Sequence, residues 1–410
     1  MTQRSRLHIP NPPARPGESP DFSYVEQSDA GAVRRPEISA RVRDMDDLAF
    51  TMVRVMDDEG VAHEPWNPHL EPQDVQVALR HMLLTRAYDD RMLRMQRQGK
   101  ISFYMQSRGE EAVAIAAAMA LQPNDMLFPS YRVQGLQIAR GRNLVDLMCQ
   151  CLSNSKDMCK GRQMPIMYHW ARGNIFSVSG NLTTQYPQAV GWAMGAAIKG
   201  EDHVAASWIG EGSSAEADFH HALTFAAVYQ APVILNVVNN QWAISTFQGV
   251  AGGERRSFAA RAPGYGVPGI RIDGNDFLAV YAVTRWAAER ARLGHGPTLI
   301  ELVSYRASAH STSDDPSRYR PENEVEAWPL GDPIERLKQH AIAEGYWSEA
   351  QHEALLSEQS EHVLACWEEA ETYGTMAEPG LDKNELFEDV FKDMPHYLID
   401  QREQMRDLED

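Results

Sequence analysis

The middle of the chain alternates short apolar segments with longer amphipathic ones, and this alternation constrains the fold more than any other feature. Apolar runs of about four to eight residues are typical of buried strands, and apolar residues three or four apart are typical of helices. Continuous apolar strands joined by crossover helices predict a parallel sheet covered on both faces, so we predict an α/β fold. The predicted strands are 204–209, 233–238, 270–272 and 299–303, and the predicted helices between them are 215–229 and 276–292.

The regions on either side of this pattern predict a three-part chain. Residues 1–45 are rich in Pro, Gly, Ser and Asp, so we expect an extended N-terminal arm without a core of its own, ordered only where it lies on a partner. Residues 46–330 would form the α/β domain, with a long helix over 72–99 and an alanine-rich helix over 110–121. Residues 331–410 predict a helical C-terminal extension.

Composition excludes several classes of protein. The 57 acidic and 39 basic residues give a net charge of −18, which argues against binding nucleic acid through bulk charge. No apolar run approaches the roughly 18 residues of a membrane span. The first 20 residues hold neither the apolar core of a secretory signal nor an amphipathic transit helix, so we expect a cytoplasmic location.

Two polar residues follow directly after neighbouring predicted strands. Glu211 stands in Gly-Glu-Gly after the first strand, and Asn240 closes an Asn-Asn pair one helix and one strand later. The carboxyl ends of parallel strands are where such sheets bind ligands. Carboxylate and amide oxygens suit Mg²⁺, and glycines allow backbone to approach a phosphate, so the spacing is compatible with a magnesium ion that holds a diphosphate. An ordinary strand–helix turn with a capping carboxylate fits the spacing equally well.

The motif and the sequence around it resemble a known family. Gly-x-Gly, one helix and strand, and then Asn-Asn is similar to the thiamine-diphosphate signature, and the run from 210 to 246 resembles the alpha subunit of branched-chain 2-oxo acid dehydrogenase. The likeness covers roughly residues 50 to 400. The other matching segments are RQGKISFYMQSRGEEA (97–112), Ser-Tyr-Arg (130–132), KGRQMP (160–165), RAPGYG (261–266), IRIDGND (270–276), YRASAHSTSDDPSRYR (305–320) and LFEDVFKDMP (386–395).

The resemblance implies a thiamine-diphosphate-binding fold and an enzyme, a 3-methyl-2-oxobutanoate dehydrogenase. Such an enzyme oxidatively decarboxylates the branched-chain 2-oxo acids derived from Val, Leu and Ile and transfers the acyl group to the lipoyl group of an acyltransferase component. The implied assembly has two alpha and two beta chains, and the sequence suggests a bacterial source. A pyruvate or acetoin dehydrogenase alpha chain is the alternative, as is a non-catalytic subunit that kept the fold. Gly-Glu-Gly favours the branched-chain group, because pyruvate relatives usually carry Gly-Asp-Gly.

The resemblance also implies which residues hold thiamine diphosphate and Mg²⁺. Glu211 and Asn240 would coordinate Mg²⁺ through their side chains and Trp242 through its carbonyl. Val238 stands where the family has an Arg, which removes one diphosphate contact. The remaining implied cofactor contacts are Tyr131, Arg132, Gly212 and Ser213 at the diphosphate and Leu182 and Ile244 at the two rings.

Three further expectations come from the same resemblance. Ser179, Thr184 and Gln185 match the ligands of a potassium ion, although Gly180-Asn181 replaces the Ser-Pro of mammalian relatives in that loop. His310 matches a histidine that contacts the diphosphate side of the site and acts in the acyl transfer, so it is the predicted catalytic residue. The glutamate that relays a proton at the aminopyrimidine comes from the beta chain in this family, so we predict that this chain supplies half of an active site.

Overall fold

The computed structural model describes residues 7–378 and 383–407, and within them six parallel strands form one sheet. The two remaining strands form a small antiparallel hairpin. In chain order the strands are β1 (Met52–Val53), β2 (Met126–Phe128), β3 (Ala205–Gly210), β4 (Val233–Asn239), β5 (Trp242–Ala243), β6 (Thr246–Phe247), β7 (Gly269–Asp273) and β8 (Thr298–Val303). The order across the sheet is β1-β7-β8-β4-β3-β2, with β5 paired to β6. The predicted α/β fold with a parallel sheet is confirmed.

Helices cover both faces of the sheet. They are α1 (Pro72–Arg97), α2 (Glu111–Ala120), α3 (Gly135–Ala139), α4 (Leu144–Leu152), α5 (Gln185–Lys199), α6 (Ala217–Tyr229), α7 (Phe277–Arg292), α8 (Pro333–Ala343), α9 (Glu349–Glu371) and α10 (His396–Asp407). Ile234 of β4 faces the core that includes α2 and α7, whereas Leu235 faces the core that includes α5 and α6. Both sides of β4 are therefore buried, which explains why its sequence is apolar at all but two positions.

The described part of the arm, residues 7–45, lies against this chain itself. The Phe22 ring packs edge-on against Tyr305 and Trp328, with centroids 5.9 and 5.1 Å away. The Trp286 indole donates a hydrogen bond to Pro36 O at 3.0 Å. The structure therefore differs from our expectation of an arm ordered only on a partner, because scattered aromatic residues anchor a segment whose composition is otherwise that of a linker.

The C-terminal helices also lie against the body of the chain. Both α8 and α9 pack on α1, and α9 also packs on α4. The boundaries of the three predicted regions, 1–45, 46–330 and 331–410, stay a prediction. Within the residues described, no helix combines the length and the apolarity that crossing a membrane requires.

Candidate active site

The two motif residues lie side by side at the carboxyl edge of the sheet. Strands β3 and β4 are neighbours, with Gly210 opposite Val238, and Glu211 N donates a hydrogen bond to Val238 O at 3.1 Å. Glu211 follows β3 directly, and Asn240 follows β4 directly. Both residues therefore lie at the carboxyl ends of adjacent parallel strands, as their positions in the sequence predicted.

A close backbone approach explains the second glycine of the motif. A Cβ atom added at Gly212 would lie 2.5 Å from the Cβ of Ala243 in β5. The turn after β3 thus packs directly on the β5–β6 hairpin that carries Trp242 and Ile244. The next residue, Ser213, is also held in place, because its carbonyl oxygen accepts a hydrogen bond from the Thr183 hydroxyl at 2.7 Å.

Glu211 carries a buried oxygen that lacks a partner. The residue is 1% exposed, and its Oε1 atom makes no hydrogen bond with any residue that the structure describes. Burial raises the pKa of this carboxyl from its usual value to about 7, with Arg306 acting in the opposite direction. A buried carboxylate oxygen without a donor is costly, and a cation would satisfy it. This chemistry fits a divalent ion bound by hard oxygen ligands.

Arg132 joins the Ser-Tyr-Arg turn to the loop that holds His310. Its guanidinium donates to Gln106 O at 2.5 Å and to His310 O at 2.7 Å, and it is almost fully buried. The Tyr131 ring stands edge-on to the His310 ring, with centroids 5.8 Å apart. The structure therefore brings together Tyr131, Arg132 and His310, three of the residues selected from the sequence.

His310 is held as a neutral imidazole. Burial, together with the charges of Arg132 and Arg306, lowers its pKa to about 3, whereas Asp314 acts in the opposite direction. Arg132 Nη2 lies 3.3 Å from Nδ1, and a guanidinium can only donate. The proton of the neutral ring therefore lies on Nε2. A neutral imidazole must accept a proton before it can act as a strong acid, so its predicted role in acyl transfer stays a prediction.

Arg306 fixes the hairpin that bears two of the predicted residues. The side chain is fully buried and donates to Trp242 O at 2.7 Å and to Ile244 O at 2.8 Å. It also donates to the Tyr319 hydroxyl at 2.6 Å, and this hydroxyl donates to Asp314 at 2.6 Å. The Trp242 carbonyl thus already accepts one hydrogen bond, and its second lone pair is available to a metal ion.

Two apolar side chains at the same edge are exposed. Leu182 is 46% exposed and Ile244 is 54% exposed, and Ile244 adopts a positive φ of 56° at the turn of the hairpin. An ordinary aliphatic residue at a positive φ is unusual and is typical of functional sites. These exposed side chains suit the apolar faces of an aromatic ligand.

The loop before α5 contains the predicted potassium ligands. Ser179 Oγ accepts from Asn181 N at 3.1 Å, and the Thr184 hydroxyl donates to Asn181 O at 2.9 Å. Gln185 donates from Nε2 to Trp208 O at 2.8 Å, and its Oε1 atom is buried without a hydrogen-bond partner among the described residues. Across 7–378 and 383–407, no group of three or more His, Cys, Asp or Glu side chains forms a metal cluster. The predicted metal ligands are amide, hydroxyl and carbonyl oxygens apart from Glu211, which is the one carboxylate among them.

Sequence reasoning missed Glu110. This residue is 2% exposed, and its Oε1 atom accepts a hydrogen bond from Asn240 Nδ2 at 2.9 Å. Burial raises its pKa to about 7, although Arg132 lowers it. An acidic residue at the start of a helix is ordinary, because it interacts favourably with the helix dipole. No sequence signal therefore distinguished Glu110 from a simple helix-start residue.

Two families of known proteins match this chain. The family described as dehydrogenase E1 component matches residues 79–378. A second family, described as 2-oxoisovalerate dehydrogenase E1 alpha subunit N terminal, matches residues 3–42, most of the arm.

Individual relatives match over most of their length. The chain is 55% identical over 401 residues to the 2-oxoisovalerate dehydrogenase subunit alpha of Pseudomonas aeruginosa, which covers 98% of each chain. It is 39% identical over 359 residues to the mitochondrial 2-oxoisovalerate dehydrogenase subunit alpha of Homo sapiens, covering 86% of this chain and 78% of the human one. The corresponding subunit alpha 1 of Arabidopsis thaliana is 37% identical over 360 residues, covering 87% and 74%.

Proposed function

The chain belongs to the dehydrogenase E1 component family, and on that premise we propose that it is the alpha subunit of a dehydrogenase for branched-chain 2-oxo acids. The observation that carries this proposal is the unpartnered, buried Glu211 oxygen beside Asn240 at the ligand-binding edge of the sheet. The match of the arm to the 2-oxoisovalerate family favours branched-chain substrates over pyruvate or acetoin. A non-catalytic subunit has no need for a costly, unpaired buried carboxylate.

Thiamine diphosphate with Mg²⁺ is the cofactor that these residues fit. Glu211 and Asn240 would hold Mg²⁺ through side-chain oxygens, and Trp242 through its carbonyl. The residues that would contact thiamine diphosphate are Gly212, Ser213, Tyr131 and Arg132 at the diphosphate and Leu182 and Ile244 at the rings. When bound, the cofactor supplies the electron sink that decarboxylation of a 2-oxo acid needs.

The chain's own residues would neutralise charge and hold the site rigid. Arg132 would place its cation against the diphosphate while its bonds to Gln106 O and His310 O fix its position. His310 would present Nε2–H toward the site, since Nδ1 faces Arg132. Arg306 would keep Trp242 O and Ile244 in place through its two backbone contacts. Donors that are already in position stabilise the charge that develops during the reaction, and they need not move when it develops.

A potassium ion in the loop before α5 is a further part of the proposal. Gln185 Oε1 is the oxygen that supports it, because this buried atom otherwise lacks a donor within the described residues. Ser179 and Thr184 would complete the site with their hydroxyls. The bound ion would then make the loop rigid and hold Leu182, which belongs to the same loop, in place.

Two protein partners follow from the proposed function. A beta subunit would supply the proton-relaying glutamate, and two alpha and two beta chains would form the assembly. A lipoyl-bearing acyltransferase component would accept the acyl group. We expect no nucleic-acid or membrane partner, and a cytoplasmic location stays a prediction.

A substrate comparison tests the proposal. The chain is co-expressed with its beta subunit, and CO₂ release is measured with 3-methyl-2-oxobutanoate and with pyruvate under identical conditions. We expect a higher kcat/KM for the branched-chain substrate. A preference for pyruvate would favour the alternative enzyme, and the absence of release from either, with both subunits folded, would favour a non-catalytic subunit.

A further inference from the structure

Glu110 is a buried carboxylate that the proposed cofactor contacts do not include. Its Oε1 atom accepts a hydrogen bond from Asn240 Nδ2 at 2.9 Å and lies 3.6 Å from Arg132 Nε. One oxygen therefore contacts a proposed metal ligand and a proposed diphosphate ligand together. The residue is 2% exposed, so it acts through these two neighbours rather than on a substrate.

The contact with Glu110 determines which way the Asn240 amide points. Asn240 donates this hydrogen bond from Nδ2, so the amide turns its NH₂ group toward Glu110. The amide oxygen Oδ1 then faces the opposite side, and oxygen is the atom that Mg²⁺ binds. From the residues that the structure describes, Oδ1 accepts one long bond of 3.3 Å, from Trp242 N, which leaves it able to coordinate an ion.

A tight turn holds Glu110 in this position. Gly109 has a φ of +90°, and a Cβ atom there would overlap Tyr305 O. Glu110 N donates to Ser107 O at 2.8 Å, and Asn275 Nδ2 donates to Gly109 O at 2.9 Å. The backbone is thus held on both sides of Glu110. A residue can orient its neighbours only if its own position is fixed in this way.

We propose that Glu110 is a positioning residue that turns Asn240 Oδ1 toward the metal and holds the Arg132 guanidinium beside the diphosphate. This inference rests on the proposed function, since it takes Asn240 as a metal ligand. Partners of metal ligands typically contribute about 10–100-fold to metal affinity.

The chain contains a matched control in Glu301. This residue of β8 is 1% exposed, and its Oε1 atom accepts a hydrogen bond from Asn239 Nδ2 at 2.9 Å. Glu301 therefore holds the adjacent Asn239 as Glu110 holds Asn240, but Asn239 has no proposed role at the metal. The same substitution at Glu110 and at Glu301 separates metal positioning from the general cost of losing a buried carboxylate.

The test measures Mg²⁺ affinity in the full chain purified with its beta subunit. Mg²⁺ is titrated at saturating thiamine diphosphate, and binding is followed by tryptophan fluorescence and by the Mg²⁺ dependence of the rate. Glu110→Ala should raise the Kd for Mg²⁺ about 10–100-fold while kcat at saturating Mg²⁺ falls much less. Glu110→Gln retains an acceptor oxygen and should recover most of the affinity. Glu301→Ala should lower the Tm but leave the Kd for Mg²⁺ unchanged.

The outcomes separate the inference from the proposed function. An unchanged Kd in Glu110→Ala, or an equal rise in Glu301→Ala, would overturn the role of Glu110 while leaving the function intact. Failure of the unaltered protein to bind Mg²⁺ with thiamine diphosphate would overturn both. Should Glu110→Ala not fold, Glu110→Asp replaces it, because the shorter side chain withdraws the acceptor from Asn240, and an unchanged Kd there would equally overturn the role.

Discussion

Replacing Gly212 with alanine tests the close packing of the turn after β3 against the hairpin. The new Cβ would lie 2.5 Å from the Ala243 Cβ, whereas carbon atoms in contact prefer about 3.5–4.0 Å. One of the two segments must therefore move by about 1 Å. Overpacking of this kind typically costs about 1–3 kcal/mol, so we expect the free energy of unfolding of the full chain to fall by that amount.

Two further variants make the expected result specific. Gly210→Ala changes a glycine two residues earlier, where an added Cβ meets no atom within 4 Å, and it should cost much less. Ala243→Gly removes the atom that Gly212→Ala would strike, so the double variant should recover most of the loss in a double-mutant cycle. Thermal and denaturant unfolding of the unaltered chain, the three single variants and the double variant measure this. Equal losses at Gly210 and Gly212, or additivity in the cycle, would refute the packing argument.

Three more predictions concern the charged and titratable residues of the site. Glu211→Gln keeps the volume of the side chain but removes its charge, so thiamine diphosphate affinity at limiting Mg²⁺ should fall at least about tenfold with little change in Tm; unchanged affinity would show that Glu211 is not a ligand. His310→Ala, assayed at saturating thiamine diphosphate, should impair turnover with a lipoyl acceptor more than decarboxylation with an artificial electron acceptor, and equal losses would end its assignment to acyl transfer. Burial holds the pKa of His310 in the folded chain near 3, against a usual value of 6.5. The unfolded chain therefore binds a proton at this residue at a higher pH than the folded chain does, and the free energy of unfolding falls as the pH drops below about 6.5. Tm measured from pH 7.5 to 5 should therefore fall less steeply in His310→Gln than in the unaltered chain, and identical slopes would contradict a neutral, buried imidazole.

The sequence was sufficient for the strands that are buried on both faces. Residues 204–209, 233–238 and 299–303 are apolar except for one residue each (Ser207, Asn236 and Glu301), and the observed strands differ from them by one or two residues. By contrast, β1 and β2 contain only two and three residues, too few for any periodicity to appear. The β5–β6 hairpin was missed for another reason. Its turn places Ile244 at a positive φ without glycine, so the usual signal of a tight turn is lacking.

Some residues of the site could likewise be predicted from the sequence, whereas others could not. Glu211 and Asn240 were predictable because adjacent parallel strands carry their carboxyl ends to one edge. Glu110 was not, because its contact with Asn240 joins residues 130 positions apart and depends on how the Gly109 turn packs against Tyr305. The extended arm was predicted, but its anchoring on its own chain was not, since single aromatic contacts such as Phe22 with Trp328 leave no periodic pattern.

In the proposed enzyme this chain holds one half of a decarboxylating site, and a beta subunit holds the other. The most direct measurement titrates purified beta subunit into the purified chain, with thiamine diphosphate, Mg²⁺ and 3-methyl-2-oxobutanoate present, and follows CO₂ release. We predict no release from either subunit alone and a rate that rises until the two are equimolar, with Glu211→Gln far less active in the same titration. Turnover by the chain on its own, or a mixture that stays inactive although the two subunits bind each other, would contradict the account.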